Sequence, residues 1–161
     1  MVDEELVIFH RIRALLDEHH FAYQVMEHEH VHTSADAAKV RGTRLEEAAK
    51  ALVLQAKDHD KVYFFMCVVS GHKKLDLKKI KVLLHLKNVS LADPNDVLKV
   101  TGCVVGTVPP FPALFSLPGY ADSGVFENEH VVFSAASHFK SIRMLVRDWE
   151  RVAGVTTSGL S

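Results

Sequence analysis

A lysine, a glycine-proline run and a turn histidine are the parts of this chain best suited to chemistry. Lys50 sits in Glu46-Glu-Ala-Ala-Lys-Ala-Leu-Val-Leu54, where a helix end meets an apolar strand. Burying an ammonium is costly unless it is paired. Glu46 or Glu47 could pair with it, it could snorkel to solvent, or it could serve a ligand. The second stretch is Thr101-Gly-Cys-Val-Val-Gly-Thr-Val-Pro-Pro110. Gly102 follows a predicted helix, where a left-handed cap is expected. Gly106 interrupts a β-branched run, where bare backbone permits close approach. Pro109 and Pro110 stiffen the exit. The amides of such a loop can hold a carbonyl or phosphate oxygen. A cap, a bulge and a turn that merely lie close together is the alternative. His138, in Ser134-Ala-Ala-Ser-His-Phe-Lys-Ser-Ile142, occupies a tight turn, where an exposed, idle histidine is the plain alternative.

Other patterns carry less chemistry. The alternation His28-x-His30-x-His32 would put three imidazoles on one face of a strand, which is metal-ligand geometry in principle. No Cys-x-x-Cys pair or helical His-Glu-x-x-His accompanies it, and no metal or other cofactor is expected. No Gly-x-Ser-x-Gly elbow is present for a serine nucleophile. Cys67 and Cys103 lie in apolar runs and read as buried free thiols. Lys73, Lys74, Lys78, Lys79 and Lys81 form the one basic cluster, with Lys74, Lys78 and Lys81 on one face of a predicted helix. A solvated face is the plain reading; contact with a phosphate backbone is the functional one.

The elements that must position these groups follow from periodicity. Apolar spacing predicts helices over 4–19, 35–41 and 76–85, a helix opened by Asp93 and Pro94, and a closing helix capped by Asp148. Thr33 or Ser34 is expected to cap the second helix, and Thr43 with Glu46 to form a capping box for a short helical piece. Strands are expected over 21–26, 51–56, 61–69, 89–91 and 120–122, followed by a hairpin of 131–135 with 142–145 around Ser137 and His138. The interleaving, without regular βαβ alternation, predicts one α+β domain over residues 1–153. Its mixed, mostly antiparallel sheet would be flanked by helices, with a flexible tail over 154–161. The chain has 161 residues, enough for a proper core, and no apolar run long enough to span a bilayer. An acidic start argues against a secretory signal and for a cytoplasmic protein. The formal net charge of −1 excludes binding nucleic acid by general charge attraction, so any such contact must be local.

Taken in order, several segments resemble the YbaK/prolyl-tRNA-synthetase-associated family of aminoacyl-tRNA editing deacylases. They are His28 with Thr33-Ser-Ala-Asp-Ala-Ala38, Lys50-Ala-Leu-Val-Leu54, Leu75-Asp-Leu-Lys-Lys79, Leu91-Ala-Asp-Pro94, Thr101-Gly102 with Gly106-Thr-Val-Pro-Pro110, and Val131-Val-Phe-Ser-Ala-Ala-Ser-His138 with Ser141-Ile142. The likeness covers about residues 21–152, which fits a free-standing domain. Ala136 stands where members usually carry a glycine. The resemblance implies hydrolysis of the ester joining a wrong, small amino acid to the 3′ end of a tRNA. Lys50, Gly106 and His138 would then be catalytic, with a 2′-hydroxyl or water as nucleophile. His28, Gly102, Thr107, Pro110 and Ser137 would bind substrate, and Lys73, Lys74, Lys78 and Lys81 would hold the tRNA. The implied partners are the aminoacyl-tRNA acceptor end and an aminoacyl-tRNA synthetase. A non-catalytic tRNA-end or synthetase-binding module on the same fold is the alternative from another class.

Overall fold

The structure, a computed structural model, describes residues 4–30 and 34–161. Helix α1 (Glu4–Glu18) buries Ile8, Phe9, Ile12 and Leu16 at helical spacing. Strand β1 (Tyr23–Glu27) and helix α2 (Ser34–Arg41) follow, and Gly42 ends α2 at a φ of 69°. A short 3-10 turn over Leu45–Glu47 leads into β2 (Ala49–Asp58), which hairpins through His59 into β3 (Lys61–Ser70). Next come α3 (Leu77–Leu83), β4 (Asn88–Leu91) and α4 (Pro94–Thr101). After the glycine-proline loop stand β5 (Gly119–Asp122), β6 (His130–Ser134), β7 (Lys140–Leu145), α5 (Val146–Ala153) and β8 (Thr156–Ser158).

The strands form two sheets rather than one. β1, β7 and β6 make an antiparallel sheet in the order β1-β7-β6. The other has the order β4-β2-β3-β5-β8, antiparallel across β4-β2-β3 and parallel across β3-β5-β8. The apolar strand β3 is central, as its composition predicts. A parallel bridge between Ala48 and Val132 joins the sheets. The main core fills the space between α1, both sheets and α5, where Phe111 meets Phe133 edge-on at 5.2 Å and Trp149 donates its indole N–H to the Pro110 carbonyl at 2.9 Å. A smaller core lies under α3, anchored by Ile80.

Several local expectations are corrected. Residues 154–161 are not a frayed tail. β8 pairs with β5, Leu160 is fully buried, and Asp122 accepts from the amides of Leu160, Ser161 and Gly124 and from the Ser161 hydroxyl. Burial pushes the Asp122 carboxyl up, but these bonds outweigh it and hold its pKa below the usual value. Helix α5 starts two residues before Asp148, which lies in its first turn instead of capping it. The piece after Gly42 is a 3-10 turn in which the Arg44 amide donates to Glu47, not a Thr43–Glu46 box. Lys74 precedes α3, whose cap is Asp76, so it does not share a helical face with Lys78 and Lys81. β1 ends at Glu27, so His28 and His30 lie beyond the strand; His32 and Thr33 fall outside the described residues.

Candidate active site

The sheets part just beyond the Ala48–Val132 bridge, and this parting makes a cleft. β4 pairs with β2 only from Leu54 to Lys57, so the edge of β2 between Ala49 and Val53 has no strand beside it among the described residues. That edge is one wall of a cleft of about 450 Å³. Ala37 and Arg41 of α2, Leu91 at the end of β4 and Ala92 after it, Val105, Gly106 and Val108 of the glycine-proline loop, and Phe133, Ser134 and His138 of the β6–β7 hairpin line the rest. Most of the surface is apolar, with a few polar groups converging on it, as expected of a ligand site.

Lys50, Gly106 and His138 meet here although 32 to 88 positions separate them. Lys50 is half-buried and donates to the Lys73 carbonyl at 3.4 Å. It has no carboxylate partner among the described residues, and Glu46 and Glu47 do not pair with it. Burial, then repulsion from Lys74, lowers its pKa. Gly106 is exposed with a φ of 92°, and a Cβ built on it would lie 3.5 Å from His138 Cε1. Thr107 is buried beneath it. Its amide and hydroxyl both donate to the Val104 carbonyl, and its own carbonyl accepts from the Ala136 amide. The Gly106 amide has no such internal partner among the described residues. His138 is half-buried, and its ring lies 4.2 Å from that of His30. Ala136 holds a φ of 64°. A non-glycine residue in that conformation is strained by roughly 1–2 kcal/mol, so the position suits the glycine that the family resemblance implies.

The remaining expected residues are outside the cleft lining. Gly102 is the left-handed cap of α4, with its amide on Leu98. Pro110 is buried and bonded to Trp149, and Ser137 accepts from the Phe139 amide. His28 has its Nε2 2.7 Å from the Ser141 hydroxyl. Lys73 and Lys74 flank Lys50, whereas Lys78 and Lys81 belong to α3 over the smaller core. No group of three or more His, Cys, Asp or Glu side chains in ligating arrangement occurs among the described residues.

Arg41 is the cleft residue that the sequence does not reveal. It stands in the last turn of α2, where an arginine reads as a complement to the helix dipole. Instead its Nε donates to Ser141 Oγ at 2.8 Å and its Nη2 to Ser134 Oγ at 3.4 Å. Burial lowers its pKa to about 10.

Three comparisons bear on this arrangement. Residues 28–152 match the model of a family described as the aminoacyl-tRNA editing domain. The multifunctional Ser/Thr-tRNA deacylase ProXp-y of Escherichia coli K12 is 31% identical over 148 residues, covering 91% of this chain and 89% of that protein. A proline–tRNA ligase of Fervidobacterium nodosum is 29% identical over 80 residues, which are 50% of this chain and 13% of the ligase. Among solved structures, a candidate trans-editing enzyme for prolyl tRNA synthetase superposes with a TM-score of 0.81 at 24% identity, covering 96% of each chain. No helix among the described residues is long and apolar enough to cross a membrane.

Proposed function

The chain belongs to the aminoacyl-tRNA editing domain family, and from that premise we propose that it is a trans-editing hydrolase. It cleaves the ester between a small, wrongly attached amino acid and the terminal ribose of a tRNA. The observation that carries this reading is the convergence of Lys50, Gly106 and His138 on one cleft. A synthetase pocket discriminates poorly against a smaller or isosteric amino acid, so a second site is needed to remove the error. The curated relative's deacylation of Ser- and Thr-tRNA agrees with a small side chain as the group removed.

Ester hydrolysis requires attack on the carbonyl carbon, stabilisation of the oxyanion, and departure of the ribose oxygen with a proton. In this reading, Lys50 supplies positive charge to the developing oxyanion. The free Gly106 amide orients the aminoacyl group. His138, beside Gly106, positions the attacking water. The vicinal 2′-hydroxyl is the other candidate nucleophile, with water as the final acyl acceptor. The products are the free amino acid and a tRNA with its terminal hydroxyls restored. Lys73 and Lys74 are suited to hold the phosphates of the acceptor stem.

The test is single-turnover deacylation on a panel of tRNAs charged with serine, threonine, alanine and the cognate amino acids. Selective hydrolysis of one or more mischarged species is expected, reduced about 10²- to 10³-fold in Lys50→Ala. Unchanged turnover in Lys50→Ala overturns the mechanism. Tight binding of every charged species without turnover assigns the non-catalytic module instead.

A further inference from the structure

Resting on the deacylase reading, we propose that Arg41 anchors a phosphodiester oxygen of the substrate's terminal nucleotide, forming a phosphate subsite in the same cleft as the ester. A guanidinium has five N–H donors, and two of Arg41's are used, on Ser141 and Ser134. Among the described residues the others have no acceptor, and no carboxylate of those residues lies within ion-pair distance. A guanidinium drawn out of water beside two hydroxyls is unfavourable on its own. An anion bound in the cleft would supply the missing partner.

The surroundings hold this guanidinium in one orientation. His28 Nδ1 lies 2.8 Å from the Glu29 carbonyl, so it carries the proton, and in the neutral imidazole Nε2 is an acceptor. With that tautomer of the neutral ring, the Ser141 hydroxyl donates to His28 Nε2 and accepts from Arg41 Nε. Each link in this chain has one direction, and it ends on the arginine. His28 is thus a positioning residue that acts through Ser141.

The chemistry of the substrate selects the anion. In a small amino acid joined as an ester, the carboxylate is consumed by the bond. The anions near that bond are then the phosphates of the tRNA end. The planar fork of arginine matches two phosphate oxygens at once. Lys50 and Arg41 line the same cleft, so the ester and the phosphate each meet one cation.

Seryl-adenosine and its 5′-methyl phosphate diester provide the test. We expect wild-type kcat/KM to favour the phosphodiester about 10- to 100-fold, the effect of charge-assisted hydrogen bonds. Arg41→Gln should bring that ratio close to one, and Arg41→Lys and Ser141→Ala to intermediate values. An unchanged ratio in Arg41→Gln, or no wild-type preference, overturns the proposal. A ratio is insensitive to a general loss of folded enzyme. Should wild type hydrolyse neither ester, the deacylase reading fails. Calorimetry with adenosine 5′-methyl phosphate against adenosine then still tests the subsite: tighter binding of the phosphate, lost in Arg41→Gln, supports it, and equal binding overturns it.

Discussion

Just before β2, the buried carboxylate of Glu47 lies between two guanidiniums, 3.5 Å from Arg44 Nε and 3.3 Å from Arg143 Nη2. On the cleft side, three residues further along the chain, Lys50 is drawn half out of water with only a carbonyl as partner among the described residues. Arg41 has only hydroxyls among the described residues. The first region satisfies its charges internally, and the second leaves cations for something else to satisfy. An acid is within reach in sequence at Glu46 and Glu47, yet the fold pairs Glu47 with Arg44 and Arg143 and leaves Glu46 exposed. Unpaired cations beside an apolar cleft suit a ligand that brings negative charge, either fixed, as on a phosphate, or developing, as on an ester oxygen in the transition state.

The sharpest way to break this contrast is Lys50→Met. Activity should fall about 10²- to 10³-fold, while thermal unfolding should show a Tm that holds or rises, because a poorly solvated charge repelled by Lys74 is removed. A fall in both would mean that Lys50 is a structural ion. The sign of the pH effect follows from its lowered pKa. The folded state disfavours the ammonium, so this destabilisation is complete below the folded pKa and is relieved as pH rises towards the ordinary lysine value. Activity that needs the ammonium should decline on the alkaline side at a pH below the ordinary value of 10.5, and that limb should disappear in Lys50→Met.

Glu47→Gln probes the paired region. It should lower stability by about 1–2 kcal/mol in urea unfolding, since both arginines keep some access to water. Activity per folded molecule should hold within a few-fold; a large loss would mean that the paired region also shapes the cleft. The smallest expected effect comes from Ser134→Asp, which gives Arg41 the carboxylate it lacks and makes the cleft resemble the paired region. Its Tm should rise by a degree or two, and the enzyme's preference for a phosphorylated substrate should decline. A preference kept intact would place the phosphate elsewhere.

Much of the candidate site is legible in the sequence because its signals are local. The apolar run after Lys50, the glycine before a double proline and the histidine in a hairpin turn each describe their own backbone. The order of the segments supplies the α+β fold. The left-handed φ of Ala136 gives a physical reason for the glycine usual at that place. Where expectation and structure differ, the local pattern does not contain what decides the outcome. Small polar residues over 154–161 suggest fraying, but Asp122 lies 38 positions before Leu160 and binds it. Alternating histidines suggest a strand, but β1 stops before the first of them.

The sequence by itself determined the family resemblance, the elements and the residues whose backbone or charge is locally unusual. Only the tertiary structure decided which of them share a cleft and which charges remain unpaired. The physical reason is that pairing is set by what packs opposite. Arg41 meets hydroxyls 93 and 100 positions away, and Lys50 meets none of its neighbouring acids. No local pattern records that difference.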